Sequence, residues 1–318
     1  MLTEDQEEKL QNLRRELHSQ EPSPRKTLAE LGIATADLTP EFLLTTEPVA
    51  NPWDPPKPLT LQLLTVNGYL PQIPPECLTP EVVFAWENYA DEDESHSSFE
   101  TNFLLFCADR GIYNLLPKQY QTREAILSQP AQQKYTPLHA AVRQGFLDKM
   151  PLKELVPGDL YTLPFNGNQF RNFDDDILYH AVCNEQTDLI AHLVDPSHIT
   201  GDAFRACFRV GHFPSVIFND VKIITAEKML DGAPDDCALR SAAYFGHLDK
   251  ISPEIFIDYD NFQIISHSIP SKTEIIDEMK SLRLYSVTDE EATQRAEQAR
   301  EWVVKVAQIQ LAEKARAK

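Results

Sequence analysis

Apolar residues recur along this chain in a frame that can be read six times. Aligned on a glycine, the segments LTLQLLTVNGYL (59–70), NFLLFCADRGIY (102–113), TPLHAAVRQGFL (136–147), DAFRACFRVGHF (202–213) and CALRSAAYFGHL (237–248) share it. DILYHAVCNEQT (176–187) fits the same frame with Glu185 in the glycine's place. Seven residues before each anchor stands Leu61, Leu104, Leu138, Leu178, Phe204 or Leu239, and four before most stands Cys107, Ala141, Ala181, Cys207 or Ala242. Positions three apart share a helix face, so each segment predicts a short helix that buries one side. Small residues there let neighbouring helices approach closely. Glycine takes the left-handed backbone without a Cβ penalty, so it predicts where each helix stops.

A second regularity follows the anchors. Pro74, Pro117 and Pro151 lie six residues after their glycine and Pro253 seven, while Thr79 and Thr122 lie eleven after. Leu78-Thr-Pro-Glu-Val, Thr122-Arg-Glu, Thr225-Ala-Glu227 and Leu38-Thr-Pro-Glu41 repeat a helix-start code, with Thr as N-cap and Glu in the first turn. The prediction is helix, turn, outer helix opened by the proline, connector, repeated. The anchors 68, 111, 145, 185, 211 and 246 are 26 to 43 residues apart, and units of that size bury their apolar faces only by stacking.

Both ends differ from the middle. Thr3 and Gln6 have capping-box spacing ahead of Leu10, Leu13 and Leu17, and Thr288-Asp-Glu-Glu291 opens a helix with Ala299, Trp302, Val303, Val306 and Ile309 on one stripe. Covering the end of the fold is the expected role of that last helix. PVANPWDPPKP, with Trp53 inside it, forbids helix. The expected organisation is a helical cap with a degraded half-repeat (1–47), a proline-rich linker (48–58), about six repeats (59–287) and a C-terminal amphipathic helix (288–318).

Charge and composition narrow the function. The 318 residues include 49 acids and 29 Lys plus Arg, a net charge of −20, which repels nucleic acid and anionic membranes. No stretch approaches the ~18 apolar residues of a membrane span, and the acidic N-terminus has no apolar run of the secretory kind. Five cysteines without a Cys-x-x-Cys fit reduced thiols, so a cytoplasmic location is expected. Glycine is scarce, 10 against 23 prolines, and no phosphate-binding or nucleophile-elbow glycine motif occurs. Asp91-Glu-Asp-Glu94 and Asp174-Asp-Asp176 lack calcium-loop spacing, and His192 and His198 lack the i, i+4 zinc spacing. No catalysis, metal or cofactor is therefore expected.

The segment Tyr135-Thr-Pro-Leu-His-Ala-Ala-Val-Arg-Gln-Gly-Phe-Leu147 resembles an ankyrin repeat, whose hallmark is T-P-L-H, paired alanines and G-H-L. Ala242-Ala243 and Gly246-His247-Leu248 are similar to its latter half, and the resemblance spans roughly 59–260, in a divergent, bacterial-type form. It implies an all-α, ankyrin-like helical repeat solenoid with capping helices at both ends and at most one or two short β-hairpins. Asn166-Gly167 within 161–170 is the candidate hairpin turn. Tetratricopeptide or HEAT arrays are the alternative fold. The proline soon after the glycine departs from the ankyrin pattern and implies short or shifted outer helices.

The resemblance also implies a function, a non-catalytic protein–protein interaction module such as a scaffold or adaptor. His139 would tie neighbouring units together, and the two residues before each glycine would face the partner. Those pairs are Val66-Asn67, Asp109-Arg110, Arg143-Gln144, Cys183-Asn184, Arg209-Val210 and Tyr244-Phe245. Arg110, Arg143 and Arg209 are then expected to form a stripe for an acidic peptide or carboxylate-rich protein surface, ending at the aromatic pair Tyr244-Phe245. The plainer expectation is that each arginine pairs with a local acid such as Asp109 or Asp148. The alternative function is an enzyme or toxin-type effector with active residues on the insertions 84–100 or 161–174. No oligomeric state is indicated.

Overall fold

The structure, a computed structural model, describes residues 3–18, 27–46, 59–85, 103–128, 135–161, 177–218, 223–231, 237–259, 262–281 and 288–316. The chain is all-α: every regular element among the described residues is helical and none is a strand. The proline-rich linker with Trp53, the acidic runs at 91–94 and 174–176, the Asn166-Gly167 turn and nearly all of both insertions lie outside the described residues. Contacts divide the chain into two compact units, Met1–Glu154 and Leu155–Lys318, a boundary that falls inside the expected 59–287 array.

The first unit contains α1 (Glu4–His18), α2 (Pro40–Leu43), α3 (Thr60–Val66), α4 (Pro80–Phe84), α5 (Phe103–Asp109), α6 (Arg123–Ile126) and α7 (Pro137–Gln144). α1 starts at a reciprocal capping box, Thr3 N–H to Gln6 Oε1 at 3.0 Å and Gln6 N–H to Thr3 Oγ1 at 3.2 Å, and buries Leu10 and Leu13. α2 packs on α3, α4 on α5, and α7 on both α5 and α6. The second unit contains α8 (Ile177–Cys183), α9 (Thr187–Ile190), α10 (Gly201–Val210), α11 (Ser215–Phe218), α12 (Ala226–Met229) and α13 (Ala238–Phe245). It ends with α14 (Phe262–His267), α15 (Lys272–Ser281) and α16 (Asp289–Arg316). Here α8 packs on α10, α10 on α13, and α13 on α16.

The repeating apolar frame is the core of both units. Leu61, Leu104, Leu138, Leu178, Phe204 and Leu239 are all buried, as are Leu64, Cys107, Ala141, Ala181, Cys207 and Ala242 one turn later. All six anchors have a positive φ: Gly68, Gly111, Gly145, Gly211 and Gly246 between 66° and 81°, and Glu185 at 55°. The residue after the anchor then donates its N–H to the carbonyl five residues before it, as Ile112 does to Cys107, Phe146 to Ala141, Gln186 to Ala181 and His247 to Ala242, at 2.7–2.9 Å. These are Schellman closures that satisfy carbonyls left open at the helix end. At Gly211 the closure is the simpler bond from its own N–H to Cys207 O at 2.9 Å.

Glu185 is the only non-glycine residue with positive φ among the described residues. Its side chain is exposed, so its removal loses little packing. Glu185→Gly is therefore expected to raise stability by about 1 kcal/mol, since a left-handed non-glycine residue costs at least that much. A melting point that does not rise would contradict it.

The outer arm corrects the expectation of a second helix. After Gly68, Gly111, Gly145 and Gly246 the chain makes two separate 3-10 turns. They are Leu70–Gln72 and Pro75–Cys77, Tyr113–Leu115 and Lys118–Tyr120, Leu147–Lys149 and Leu152–Glu154, and Leu248–Lys250 and Pro253–Phe256. Proline donates no N–H and forces the preceding residue out of the helical region. Ile73 and Leu116, immediately before Pro74 and Pro117, are extended, with ψ of 125° and 150°. The arm therefore breaks at the proline.

The threonine code is realised as read. Thr39, Thr79, Thr122 and Thr225 each accept from the backbone N–H three residues on, at 3.2–3.4 Å, and open the one-turn helices α2, α4, α6 and α12. A similar long-range bond occurs ahead of two of these threonines. Cys77 Sγ donates to Leu38 O at 2.6 Å, and Tyr120 Oη donates to Leu78 O at 2.8 Å. Cys77 and Tyr120 both stand nine residues after their glycine, and both carbonyls immediately precede a Thr N-cap.

α16 closes the second unit. Thr288 and Glu291 form its capping box, N–H to Oε2 at 2.9 Å and N–H to Oγ1 at 3.2 Å. Ala292, Ala296, Ala299, Trp302, Val306 and Gln310 make its buried face. Gln310 takes the place expected of Ile309, which is half-buried, because its amide reaches Phe256 O at 2.7 Å and Tyr259 O at 2.9 Å. No helix among the described residues is long and apolar enough to cross a membrane.

Candidate functional site

The residues that precede each glycine sit at the last turn of an inner helix, where the Schellman closure fixes the backbone. In the first unit that places Asp109 and Arg110 at the end of α5 beside Arg143 and Gln144 at the end of α7. Gln144 Nε2 donates to Asp109 Oδ1 at 2.9 Å, a bond that links the ends of α7 and α5. Arg110 keeps 60% of its side chain exposed, with its Cζ 5.4 Å from the centroid of the Phe106 ring. Arg143 Cζ lies 5.0 Å from the centroid of the Tyr135 ring. A ring beneath a guanidinium holds it in place while leaving its planar fork suited to a carboxylate.

For Arg110 the local-acid expectation is met only loosely. Arg110 Nε is 4.0 Å from Asp109 Oδ2, at the outer limit of an ion pair, while Asp109 also accepts from Gln144. Asp148 is paired with Lys149 at 2.5 Å. Asn67 turns inward along the chain instead: its Nδ2 donates to Leu63 O at 2.8 Å and closes the end of α3.

The remaining residues expected at the site belong to the second unit. Asn184 and Arg209 are exposed at the ends of α8 and α10. Arg209 is close enough to Tyr179 and Cys183 to favour their ionised forms, although burial outweighs it and pushes both groups up. Tyr244 is not the open aromatic anchor expected of it. Its ring packs with Ile276 against the cluster of Ile275, Ala292 and Ala296, and its hydroxyl accepts from Arg240 Nε at 3.0 Å. Its carbonyl accepts from Arg295 at 2.9 Å. Phe245 beside it is half-buried. α15 and α16 cover this end of α13.

Arg240 was not among the expected site residues. It is buried, donates to His267 O at 3.2 Å and pairs with Glu274 Oε1 at 2.6 Å. Hydrogen bonds from the Ser271 backbone and hydroxyl, then from Arg240, bring the Glu274 carboxyl down to about 2. Glu274 lies 34 residues from Arg240, outside any repeat frame, so no local pattern marked the pair.

All five cysteines are free, and burial pushes the Cys107 and Cys207 thiols up, which keeps them protonated. His139 Nδ1 lies 2.7 Å from Thr136 Oγ1 and 3.4 Å from its backbone nitrogen, so these bonds close the helix start of its own repeat. Among the described residues no group of three or more His, Cys, Asp or Glu side chains could hold a metal ion.

Comparison of the chain with protein-family models, curated proteins and solved structures finds no match, so its function is read from its own residues and their geometry.

Proposed function

We propose that this chain is a non-catalytic protein-interaction module, an ankyrin-like helical repeat array that takes an acidic peptide segment of another protein at the ends of its inner helices. The observation that carries this reading is the pair Arg110 and Arg143. Two inner helices of the first unit, α5 and α7, end in arginines that are each backed by an aromatic ring, in a chain of net charge −20. Basic side chains presented against such a background mark the places where a carboxylate can be held by bidentate hydrogen bonds despite the chain's overall repulsion of anions. Arg209, exposed at the equivalent place in the second unit, extends the same chemistry there. The free, largely buried thiols support a reducing, cytoplasmic setting.

The test uses the full chain and a fluorescein-labelled peptide of alternating Glu and Leu. Double charge reversal, Arg110→Glu with Arg143→Glu, is expected to weaken binding by about tenfold or more, with unchanged far-ultraviolet circular dichroism. Equal affinity of the two proteins would remove the arginine pair from the site.

A further inference from the structure

The second unit holds a cleft of about 600 Å³ that owes nothing to the residues before the glycines. It is built from the residues after Gly246, the outer arm of the preceding repeat and the middle of α16. Phe218, Ile224, Ile251, Ile255 and Trp302 give it an apolar lining, and Lys250 and Lys305 bring two cations to it. We propose that this cleft binds a small carboxylic acid with an apolar body, of the medium-chain aliphatic class.

Three observations support that ligand class. The volume lies in the range of small-molecule sites, roughly 300–1,000 Å³. The apolar wall is rigidly held: Trp302 Nε1 donates to Ile251 O at 3.1 Å, and its ring meets Phe256 edge-on at 5.4 Å, so the indole is fixed as a wall of the cleft. The charge balance is positive within an acidic chain. Asp249 lies 3.3 Å from Lys250 Nζ and offsets that cation, which also sits 5.6 Å from the Phe213 ring centroid. Lys305, exposed one turn beyond Trp302 on α16, has no carboxylate partner among the described residues. An apolar body against Trp302 and Ile255 would place its carboxylate at Lys305, an exposed cation at the edge of the cleft.

The experiment titrates the isotope-labelled full chain with decanoate, decylamine and the dipeptide acetyl-Leu-Glu-amide, following the Trp302 indole N–H resonance assigned with Trp302→Phe. Decanoate should shift it saturably and decylamine should not. Lys305→Glu should weaken decanoate binding by about tenfold and Lys305→Arg should preserve it. Because Lys305 is exposed, both variants should keep the melting point. The proposal fails if no saturable shift appears, if decylamine binds equally well, or if Lys305→Glu leaves decanoate affinity unchanged. Tighter binding of the dipeptide than of decanoate would also overturn it, in favour of a peptide site.

Discussion

Trp302→Ala is expected to lower the stability of the second unit by about 3–5 kcal/mol, the range for truncating a buried aromatic side chain. The indole is 6% exposed and packs edge-on against Phe256. Its N–H satisfies Ile251 O, which lies between the two 3-10 turns of the last outer arm. Truncation opens a void and also leaves that carbonyl without its donor, so both losses act together. Trp302→Phe separates them. It restores most of the packing without the N–H, and should recover more than half of the loss. Chemical denaturation followed by circular dichroism measures both. A loss below about 1 kcal/mol for the alanine variant would show that α16 does not hold the end of the unit.

Gly111→Ala should cost about 2–4 kcal/mol, against about 1–2 for Gly32→Ala. Both glycines have positive φ, 66° and 80°, so both substitutions carry the same backbone penalty. They differ in what a Cβ would meet. At Gly32 nothing lies within 4 Å, whereas at Gly111 the Phe146 ring would be 2.8 Å away. Phe146 directly follows Gly145, so the residue after one anchor covers the glycine of the anchor before it. The same relation recurs where His247 stands over Gly211, and Arg295 of α16 takes that place over Gly246. The clash predicts a coupling: in a Phe146→Ala background the cost of Gly111→Ala should fall towards that of Gly32→Ala. Additive effects would show that the ring is not what excludes a side chain there.

The Gly246 contact marks where the second unit departs from the expected frame. Tyr244 and Phe245 occupy the frame positions that present Asp109-Arg110 and Arg143-Gln144 in the first unit. Nothing in their local sequence marks them as different. Residues 30 to 51 positions away, Glu274, Ile275, Ala292 and Arg295, fold back around Tyr244. The proposed cleft depends on the same return, because it needs Trp302 and Lys305 beside residues 248–255. Arg110 and Arg143 were legible because their setting is local: each stacks on a ring four or eight residues earlier.

What short stretches of chain impose by themselves is extensive in this protein. Helix ends at six anchors, including the left-handed Glu185, the threonine caps, both capping boxes and the buried face of every inner helix follow from backbone sterics and a period of 3.6 residues. The proline six residues after the glycine was equally plain, but its effect on the arm depended on the ψ of the residue before it. Tertiary packing decided the rest: which arginines remain exposed, which aromatic is covered, and where a cleft opens. Those outcomes rest on contacts between residues tens of positions apart, made to bury apolar surface and pair polar groups, and no repeat frame of 26 to 43 residues encodes them.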